Sequence, residues 1–495
     1  MANERVDVAA GGGGWDNPLL RNYALAMRAL DALPISDQHS WKYLGAMHGF
    51  DVDIWTQSAL IDAGTAVPPS LTDDTFGDQC QHSTWYFLPW HRGYLFAFEA
   101  IVAAKVKELT GDDWVLPYWN YLDATNAAAR TVPVAFTAAT LWDGTPNPLA
   151  RYPRARSALP PVPPQRDISL EGMKENDFSV GADGTLGLGG GTTGFAHFGE
   201  MAGEIEANPH NVVHGMIGGY MGNPYLAGLD PLFWLHHCNI DRLWEAWMMT
   251  PGKTMTHEGD WLDGPGPIGR TFVMPGATPA DAPFHYTARD TLKHGRLHRD
   301  YDDLRKGTGV SGGGALIAHT AMGAPELQRV ELLGVSADPV HVGSIPAAAS
   351  IALEPVAANV AIQMMGASAP GSTIARLYLA LESIRGNAPY ATVDVYLNLP
   401  DGAAPDTHAD HVAGSLHLFG LDRASRPDGG HGGNGLGQTL DITDLADQLV
   451  KAGDFDPAHL RVTLVPVEGS SETDPITVAR VSLLKRTGTI AQPSD

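Results

Sequence analysis

Apolar residues recur at intervals of three and four through the first three-fifths of the chain, a spacing that indicates amphipathic helices. The strongest case is residues 88–109, LPWHRGYLFAFEAIVAAKVKEL, where the apolar positions give way to a polar end. The same spacing predicts helices over 17–33 and 36–48, and again around 197–218 and 230–249. The pattern therefore predicts a mainly α first domain.

After about residue 310 the pattern changes to short apolar or alternating runs such as TVDVYLNL, VAGSLHLFGL and LRVTLVPV. Clusters of Gly, Pro and Asp separate these runs, which is typical of an antiparallel sandwich or barrel. We expect a helical domain over 1–310, a linker over 311–345 and an all-β sandwich domain over 346–495. The Pro- and Gly-rich stretch 140–200 predicts a long irregular excursion within the first domain.

Composition narrows the range of partners and compartments. Lys and Arg number 32 against 56 Asp and Glu, giving a formal net charge of −24, which disfavours nucleic acid and anionic membranes. The N-terminus lacks the basic and apolar regions of a signal peptide, so we expect a cytoplasmic protein. Only two cysteines are present, which excludes a disulfide framework. The oligomeric state is left open.

Six of the twenty histidines stand in two groups of three within segments rich in Trp and Phe. Two of them are four residues apart, which places both on one face of a helix. Burying so many imidazoles costs free energy unless they share a partner, and a metal ion is such a partner. Three imidazoles per metal, without an obvious thiolate or carboxylate, suit copper and leave positions open for dioxygen. A zinc hydrolase is the rival, weakened by the second group and the absence of an HExxH glutamate. The groups are His48, His82 and His91, and His210, His214 and His237.

Two long segments, HSTWYFLPWHRGYLFAFE and DPLFWLHHCNIDRLWEAW, resemble the copper-binding motifs of the tyrosinase, catechol oxidase and polyphenol oxidase family. YLGAMHGF is similar to the family's segment for the first ligand, and LHRDYDDLR to its tyrosine motif. TVDVYLNLPDG and LRVTLVPVEG resemble the β domain that follows the catalytic domain in plant polyphenol oxidases. The resemblance implies a four-helix bundle around a type-3 dicopper site, and it covers most of the chain outside 140–200.

The resemblance also implies which histidine holds which ion. His48, His82 and His91 would bind the first copper, and His210, His214 and His237 the second. His236 and His237 are neighbours about 100° apart on a helix, so that both cannot address one ion. The family pattern assigns the ligand to His237 and leaves His236 as packing around the site.

Cys80 stands two residues before His82, where similar fungal enzymes form a thioether between the sulfur and an imidazole carbon. The alternative is a free buried thiol, the reading we adopt for Cys238. Asp241 is expected to have a structural role.

Glu206 resembles the family's glutamate that holds a water near the second copper, and Asn211 the asparagine that polarises this water. Such a water would take the proton of an incoming phenol. An ordinary carboxylate at a helix start is the alternative for Glu206, and Glu204 is a second candidate for the role.

Pro224 occupies the place where many plant enzymes have a bulky phenylalanine that gates the second copper. A wider gate would favour hydroxylation of monophenols.

The function that the resemblance implies is dioxygen-dependent oxidation of monophenols and o-diphenols to o-quinones, with two copper ions as cofactor and small phenols as partners. A strict catechol oxidase and an o-aminophenol oxidase are alternatives. A dioxygen carrier of the haemocyanin type, which shares the dicopper site, is the alternative that is not an enzyme. In plant relatives the C-terminal domain covers the active site, so 346–495 is a candidate lid.

Overall fold

The computed structural model describes the chain apart from residues 1–3, 74, 180–186, 200, 257, 266–269, 293–294, 311–328, 354–372, 401, 429–430, 456–459 and 490–495. A helical part comes first and a β-rich part follows, which confirms the predicted fold class. Much of the predicted linker, residues 311–328, lies outside the described residues. The sheet begins at Arg329, inside the segment predicted as linker, and the domain boundaries stay a prediction.

Side-chain caps decide where several helices begin. Ser40 accepts a hydrogen bond from the backbone N–H of Tyr43, so the helix predicted over 36–48 begins only at Trp41. Asp230 caps the helix that contains the second histidine motif. The helices are α1 (Pro18–Asp31), α2 (Trp41–His48), α3 (Val52–Gln57), α4 (Phe87–Thr110), α5 (Val212–Ile217), α6 (Pro231–Met248), α7 (Gly259–Leu262), α8 (Leu421–Ser425) and α9 (Thr443–Ala452).

The helix predicted around 197–218 is shorter and irregular. Helical structure begins at Glu204, a π-helical turn at Glu206–Asn211 runs into the short helix α5, and the described residues of 197–203 are not helical. Pro209 lies inside this turn, and Asn208 departs from helical angles with φ −152° and ψ 123°. The loss of a backbone donor at proline explains why a regular helix does not continue here.

Buried charges fix α4 against α6. Asp241 of α6 accepts hydrogen bonds from Arg92 of α4 and from Arg5, and Arg5 also bonds Glu99 of α4 at 2.6 Å. All four side chains are buried, and each cation faces a carboxylate, which is the condition under which buried charges are tolerated. The expected structural role of Asp241 agrees with these contacts, which hold together the two helices that carry the histidine motifs.

The C-terminal strands form one nine-stranded antiparallel sheet. Its order is β10-β9-β14-β7-β5-β15-β8-β13, with β6 also paired to β15. The two ends approach each other, since Gln438 of β13 accepts from the backbone of His417 and donates to that of Ser415, both in β10. These strands are β5 (Arg329–Ser336), β6 (Val340–Val342), β7 (Ala347–Leu353), β8 (Thr373–Arg385), β9 (Tyr390–Leu397), β10 (Val412–Phe419), β13 (Leu436–Asp441), β14 (Leu460–Glu468) and β15 (Ile476–Thr489).

Six shorter strands form three two-stranded pairs outside that sheet. They are β1 (Glu4–Arg5) with β4 (Asp300–Tyr301), β2 (Phe272–Met274) with β3 (Phe284–Tyr286), and β11 (Pro427–Asp428) with β12 (His431–Gly432). The excursion predicted over 140–200 contains only short 3-10 turns among its described residues. In the described part of the chain, no helix has the length and apolar character that a bilayer crossing requires.

Candidate metal centre

The six predicted histidines come together in the middle of the helical domain. His48 ends α2, His91 lies in the first two turns of α4, and His214 and His237 lie on α5 and α6. His82 precedes α4 in an extended segment, and His210 belongs to the π-helical turn. None of the six is more than 3% exposed.

Three ring nitrogens of the second group converge on one point. The Nε2 atom of His237 lies 3.2 Å from Nε2 of His210 and 3.2 Å from Nε2 of His214. Nδ1 of His214 donates to the carbonyl of Met221 at 2.6 Å, and Nδ1 of His210 donates to the side-chain oxygen of Asn211 at 2.9 Å. Both Nε2 atoms therefore carry lone pairs, and a shared metal ion satisfies all three nitrogens.

His236 also belongs to this group, because one of its nitrogens lies within 4.8 Å of those of its three neighbours. Its ring stacks on that of His210, with centroids 5.4 Å apart. Neither of its nitrogens has a hydrogen-bond partner among the described residues. The nitrogen that closely approaches those of His210 and His214 is Nε2 of His237, and the assignment of the ligand to His237 stays a prediction.

The first group is oriented by backbone carbonyls in the same way. Nδ1 of His48 donates to the carbonyl of Pro224 at 3.1 Å, and Nδ1 of His91 donates to that of Phe87 at 2.8 Å. These bonds leave the Nε2 atoms as metal-binding nitrogens. Nε2 of His48 and of His82 is buried, with no hydrogen-bond partner in the part of the chain that the structure describes. Orphaned buried nitrogens of this kind fit a metal ion.

Cys80 lies against the first group. Its Sγ atom is 3.3 Å from Nδ1 of His82 and 3.7 Å from Nε2 of His91, and the thiol is fully buried. Burial raises the pKa of the Cys80 thiol well above its ordinary value. The sulfur is thus placed beside the imidazole to which the predicted thioether would join it, while the bond itself stays a prediction. Cys238 is also free and buried, as expected.

The electrostatics favour neutral imidazoles, the form that binds metal. Burial lowers the pKa of His91 and of His214 to about 3. Burial, and then repulsion from neighbouring imidazoles, lowers the pKa of His82 and His237 well below the ordinary range. The protein therefore holds these lone pairs ready at neutral pH.

Glu206 reaches back to the first group. Its Oε1 atom accepts the backbone N–H of Ser83 at 2.8 Å, directly after His82 in the chain. Its Oε2 atom is buried, and among the described residues no group bonds to it. Burial raises the pKa of this carboxyl well above the ordinary value, although the Ser83 N–H opposes the shift.

The side chain of Glu204 lies at a cavity and not at the backbone beside His82, where Glu206 is bonded. It lines a polar cavity of about 430 Å³ where the helical domain meets the sheet. Burial, with repulsion from Glu175 and Asp441, raises the pKa of Glu204 to about 8. Of the two glutamates considered from sequence, Glu206 is therefore the one bonded to the backbone of the histidine cluster. Asn211 uses its side-chain oxygen to orient His210.

Pro224 contacts the first group through its backbone. Its carbonyl oxygen holds His48, and a side chain on Gly49 would meet that oxygen at 2.4 Å. The structure thus assigns Pro224 a positioning contact beside the first group, and a gate at the second copper stays a prediction.

Three phenylalanine rings that the sequence patterns did not single out stack on the ligand rings. Phe233 stacks on His237 with centroids 4.0 Å apart, Phe198 on His82 at 4.6 Å, and Phe419 on His214 at 4.4 Å. Phe233 stands inside the second motif, four residues before its ligand, and helical spacing alone could have indicated it. Phe198 and Phe419 come from an irregular loop and from β10, where local patterns give no signal.

Comparison with known proteins agrees with this geometry. Residues 38–250 match the family model of the common central domain of tyrosinase, and residues 329–486 match a domain of unknown function. Tyrosinase HcTyr1 of Hahella sp. (strain CCB-MM4) is 32% identical over 480 residues, covering 93% of this chain and 95% of that protein. The latent form of chloroplastic polyphenol oxidase from Prunus armeniaca is 32% identical over 270 residues, 49% of this chain and 41% of its own length.

Solved structures show the same fold. Latent apple tyrosinase superposes with a TM-score of 0.59 at 20% identity, covering 97% of this chain and 96% of its own. A latent aurone synthase, also a polyphenol oxidase, superposes with a TM-score of 0.58 at 18% identity and covers 99% of this chain and 90% of its own. Both likenesses extend over the helical and the β-rich parts.

Replacing His237 by alanine is expected to lower bound copper from two ions to one per chain, because the convergent nitrogens then lose one of three. His236→Ala is the matched control, adjacent in sequence and equally buried, and we expect it to retain both ions. Metal content per folded chain, measured by mass spectrometry after gel filtration, checks both variants. Loss of copper from His236→Ala with retention in His237→Ala would reverse the assignment.

The Cys80–His82 link is expected to make the tryptic peptide 43–92 lighter by two hydrogen atoms, because an S–H and a C–H are replaced by one S–C bond while dioxygen, as the oxidant, takes up the two protons and two electrons. The same peptide should not react with iodoacetamide after denaturation, whereas Cys238 should react fully. Mass spectrometry of the copper-loaded protein measures both. A peptide of unaltered mass that alkylates at Cys80 shows a free thiol instead.

Proposed function

The chain belongs to the tyrosinase and polyphenol oxidase family of type-3 copper oxidoreductases, which oxidise phenols, and we propose that it hydroxylates monophenols as well as oxidising o-diphenols to o-quinones. When bound, the copper pair supplies the redox chemistry with dioxygen. The two histidine groups would hold the ions, with His48, His82 and His91 on one and His210, His214 and His237 on the other. The remaining question is what the other side chains do to the phenol.

The unpartnered oxygen of Glu206 is the observation that carries the monophenol proposal. A monophenol must lose its proton before it binds a metal ion as phenolate, so the site needs a base. Oε2 of Glu206 is buried beside the histidine cluster and has no bonding partner in the described structure. A water held there would pass the phenol proton to a carboxylate that burial makes more basic than usual.

The rest of the Glu206 carboxylate is fixed. The Ser83 N–H bonds Oε1, which leaves Oε2 as the oxygen available to a water. Asn211 orients His210 through its side-chain oxygen. A carboxylate fixed by the backbone directly after His82 supports a proton-accepting role.

Glu206→Gln is expected to lower kcat/KM for monophenols by about a hundredfold, the loss typical of a missing general base. A diphenol has a more acidic hydroxyl, so its oxidation should fall much less. The ratio of the two rates, measured on activated full-length protein, checks this and cancels any difference in active fraction. Glu204→Gln is the matched control and should leave the ratio unchanged. Equal loss on both substrates would assign Glu206 a structural role and withdraw the monophenol proposal.

The C-terminal domain is also proposed to act as a lid. Phe419 at the end of β10 stacks on His214 at an interplanar angle of 22° and is only 2% exposed. It also lies near His82, with ring centroids 5.7 Å apart. An aromatic ring in this position takes the space in which a substrate ring would lie between the two histidine groups.

Ion pairs hold the lid against the helical domain. Arg166 bonds the fully buried carboxylate of Asp394 on β9 at 2.9 Å. Arg486 on β15 bonds both Glu175, at 3.0 Å, and Asp177, at 2.7 Å. The lid is thus held by largely buried ion pairs, which salt screens only weakly, as well as by apolar contacts.

Phe419→Ala is expected to raise the diphenol oxidation rate of the undigested full-length protein by about tenfold or more, because removing a buried aromatic contact shifts the population towards the open form. Leu418→Ala is the matched control, since Leu418 packs into the core of the sheet and not against the histidines. Oxygen uptake with a catechol measures both variants. Equal activation by Leu418→Ala would point to unfolding of the lid instead of an emptied site.

A dioxygen carrier is distinguished by the same experiment. It should show no turnover of any phenol in the Phe419→Ala protein, even after limited proteolysis of the lid.

A further inference from the structure

Arg423 of the lid occupies a small binding site on the helical domain. It lies in α8 and is 4% exposed, and its Nη2 atom donates to Oδ1 of Asp78 at 2.7 Å. Its guanidinium carbon lies 4.5 Å from the ring centroid of Tyr225 and 5.9 Å from that of Phe198. A carboxylate with two aromatic rings is the arrangement that binds organic cations. We call Asp78, Tyr225 and Phe198 the cation box.

The cation box adjoins the metal centre. Phe198 stacks on His82, with an interplanar angle of 10°, on the side of the first histidine group. Tyr225 follows Pro224, whose carbonyl holds His48. Asp78 is two residues before Cys80. Each member of the box is thus tied to the segment that positions a predicted copper ligand.

The box is built by the helical domain itself. His197 anchors it, since its Nδ1 atom donates to the carbonyl of Cys80 at 2.7 Å while its Nε2 atom lies 3.6 Å from Oδ1 of Asp78. Asp78 has φ +50°, a left-handed conformation unusual for a residue other than glycine, and its side chain is 37% exposed even beneath the lid. With the lid open, a carboxylate and two ring faces would therefore meet solvent beside the site.

A second arginine of the lid, Arg426, lies beside the cation box. Arg426 lies 5.7 Å from the ring centroid of Tyr225 and 3.4 Å from Asp51. The surface of the helical domain beneath the lid thus carries the carboxylates of Asp51 and Asp78. In the closed form each carboxylate pairs with an arginine of the lid. A cationic ligand would find this surface favourable once the lid has left.

Two side chains of the lid, the ring of Phe419 and the guanidinium group of Arg423, contact the helical domain close to each other in sequence. Phe419 places its ring on His214, and Arg423, four residues later, places its cation in the box. We propose that this pair mimics the substrate, and that the cation box is a subsite for the ammonium group of phenols that carry a short aminoalkyl chain. This proposal rests on the proposed function, since it names the substrate class of that same site. Phenols ending in a carboxylate are disfavoured by the same charges.

Steady-state kinetics on matched phenols test the subsite. Tyramine carries the ammonium group, tyrosol replaces it with a neutral hydroxyl, and 3-(4-hydroxyphenyl)propionate carries a carboxylate. We expect kcat/KM to favour tyramine over tyrosol by about tenfold, the effect of one charge-assisted hydrogen bond, and the propionate to be poorest. The preference should lie in KM, because the ammonium contact is the same in the ground state and the transition state.

Asp78→Asn is expected to remove this preference, whereas Asp177→Asn should keep it. Each substitution deletes one carboxylate that pairs with an arginine of the lid, and only Asp78 belongs to the box. Because the tyramine to tyrosol ratio is taken within each variant, any loosening of the lid cancels. An unchanged ratio in Asp78→Asn would overturn the subsite.

A binding measurement separates this proposal from the proposed function. In the full-length Arg423→Ala protein, calorimetric titration with 2-phenylethylamine, which has no phenol to oxidise, should show binding that 2-phenylethanol lacks. Adding Asp78→Asn should abolish that binding. Absence of amine binding refutes the subsite whatever the activity, while amine binding without turnover of any phenol refutes only the oxidase assignment.

Discussion

The structure depends on one constraint: buried imidazoles must point their lone pairs at common points. Neutral imidazoles have two tautomers, and here backbone carbonyls choose between them. The carbonyls of Pro224, Phe87 and Met221 accept the Nδ1–H of His48, His91 and His214. Each bond fixes both the tautomer and the plane of a ring, so that Nε2 faces the metal position. The helices are in turn locked by Arg92 and Asp241, which hold α4 against α6 and with them His91 and His237.

The same constraint explains the aromatic surroundings. An imidazole whose two nitrogens are committed can be held further only through its faces, and phenylalanine rings lie on three of them. Phe233 belongs permanently to the helical domain, while Phe419 belongs to the sheet. Phe198 lies in the helical domain but packs into the core of the lid, where its ring leaves no room for a side chain on Gly420. The wall of the site is therefore completed by a residue of the C-terminal sheet.

Local periodicity was sufficient for α1, α4 and α6, because each is a long apolar run with a clear boundary, a side-chain cap at Asn17 or Asp230 or a left-handed glycine at Gly111. It failed at Glu206–Asn211, where Pro209 replaces a regular helix by a π-helical turn that still places His210. It also could not assign Pro224, whose contribution comes from a carbonyl that every residue has. The contact between Arg423 and Asp78 joins positions 345 residues apart, and no short-range pattern encodes such a pairing. Family resemblance predicted the histidine groups and a lid, but not the side chains through which the lid contacts the site.

Charge complementarity between the sheet and the helical domain links the two proposals, a C-terminal lid and a subsite for cationic phenols. Arginines of the sheet domain form ion pairs with carboxylates of the helical domain. These carboxylates are those of Asp51, Asp78, Glu175 and Asp177. In a chain of net charge −24 these carboxylates gain more from an arginine partner than from isolation, which favours the closed form. Opening of the proposed lid would leave these carboxylates on the helical domain. In the proposed open form, Asp51 and Asp78 would lose their arginine partners, and their field would attract cations and repel anions. In this proposal, the carboxylates that pair with the arginines of the closed lid would also select, by charge, the small molecules that reach the metal centre once the lid opens.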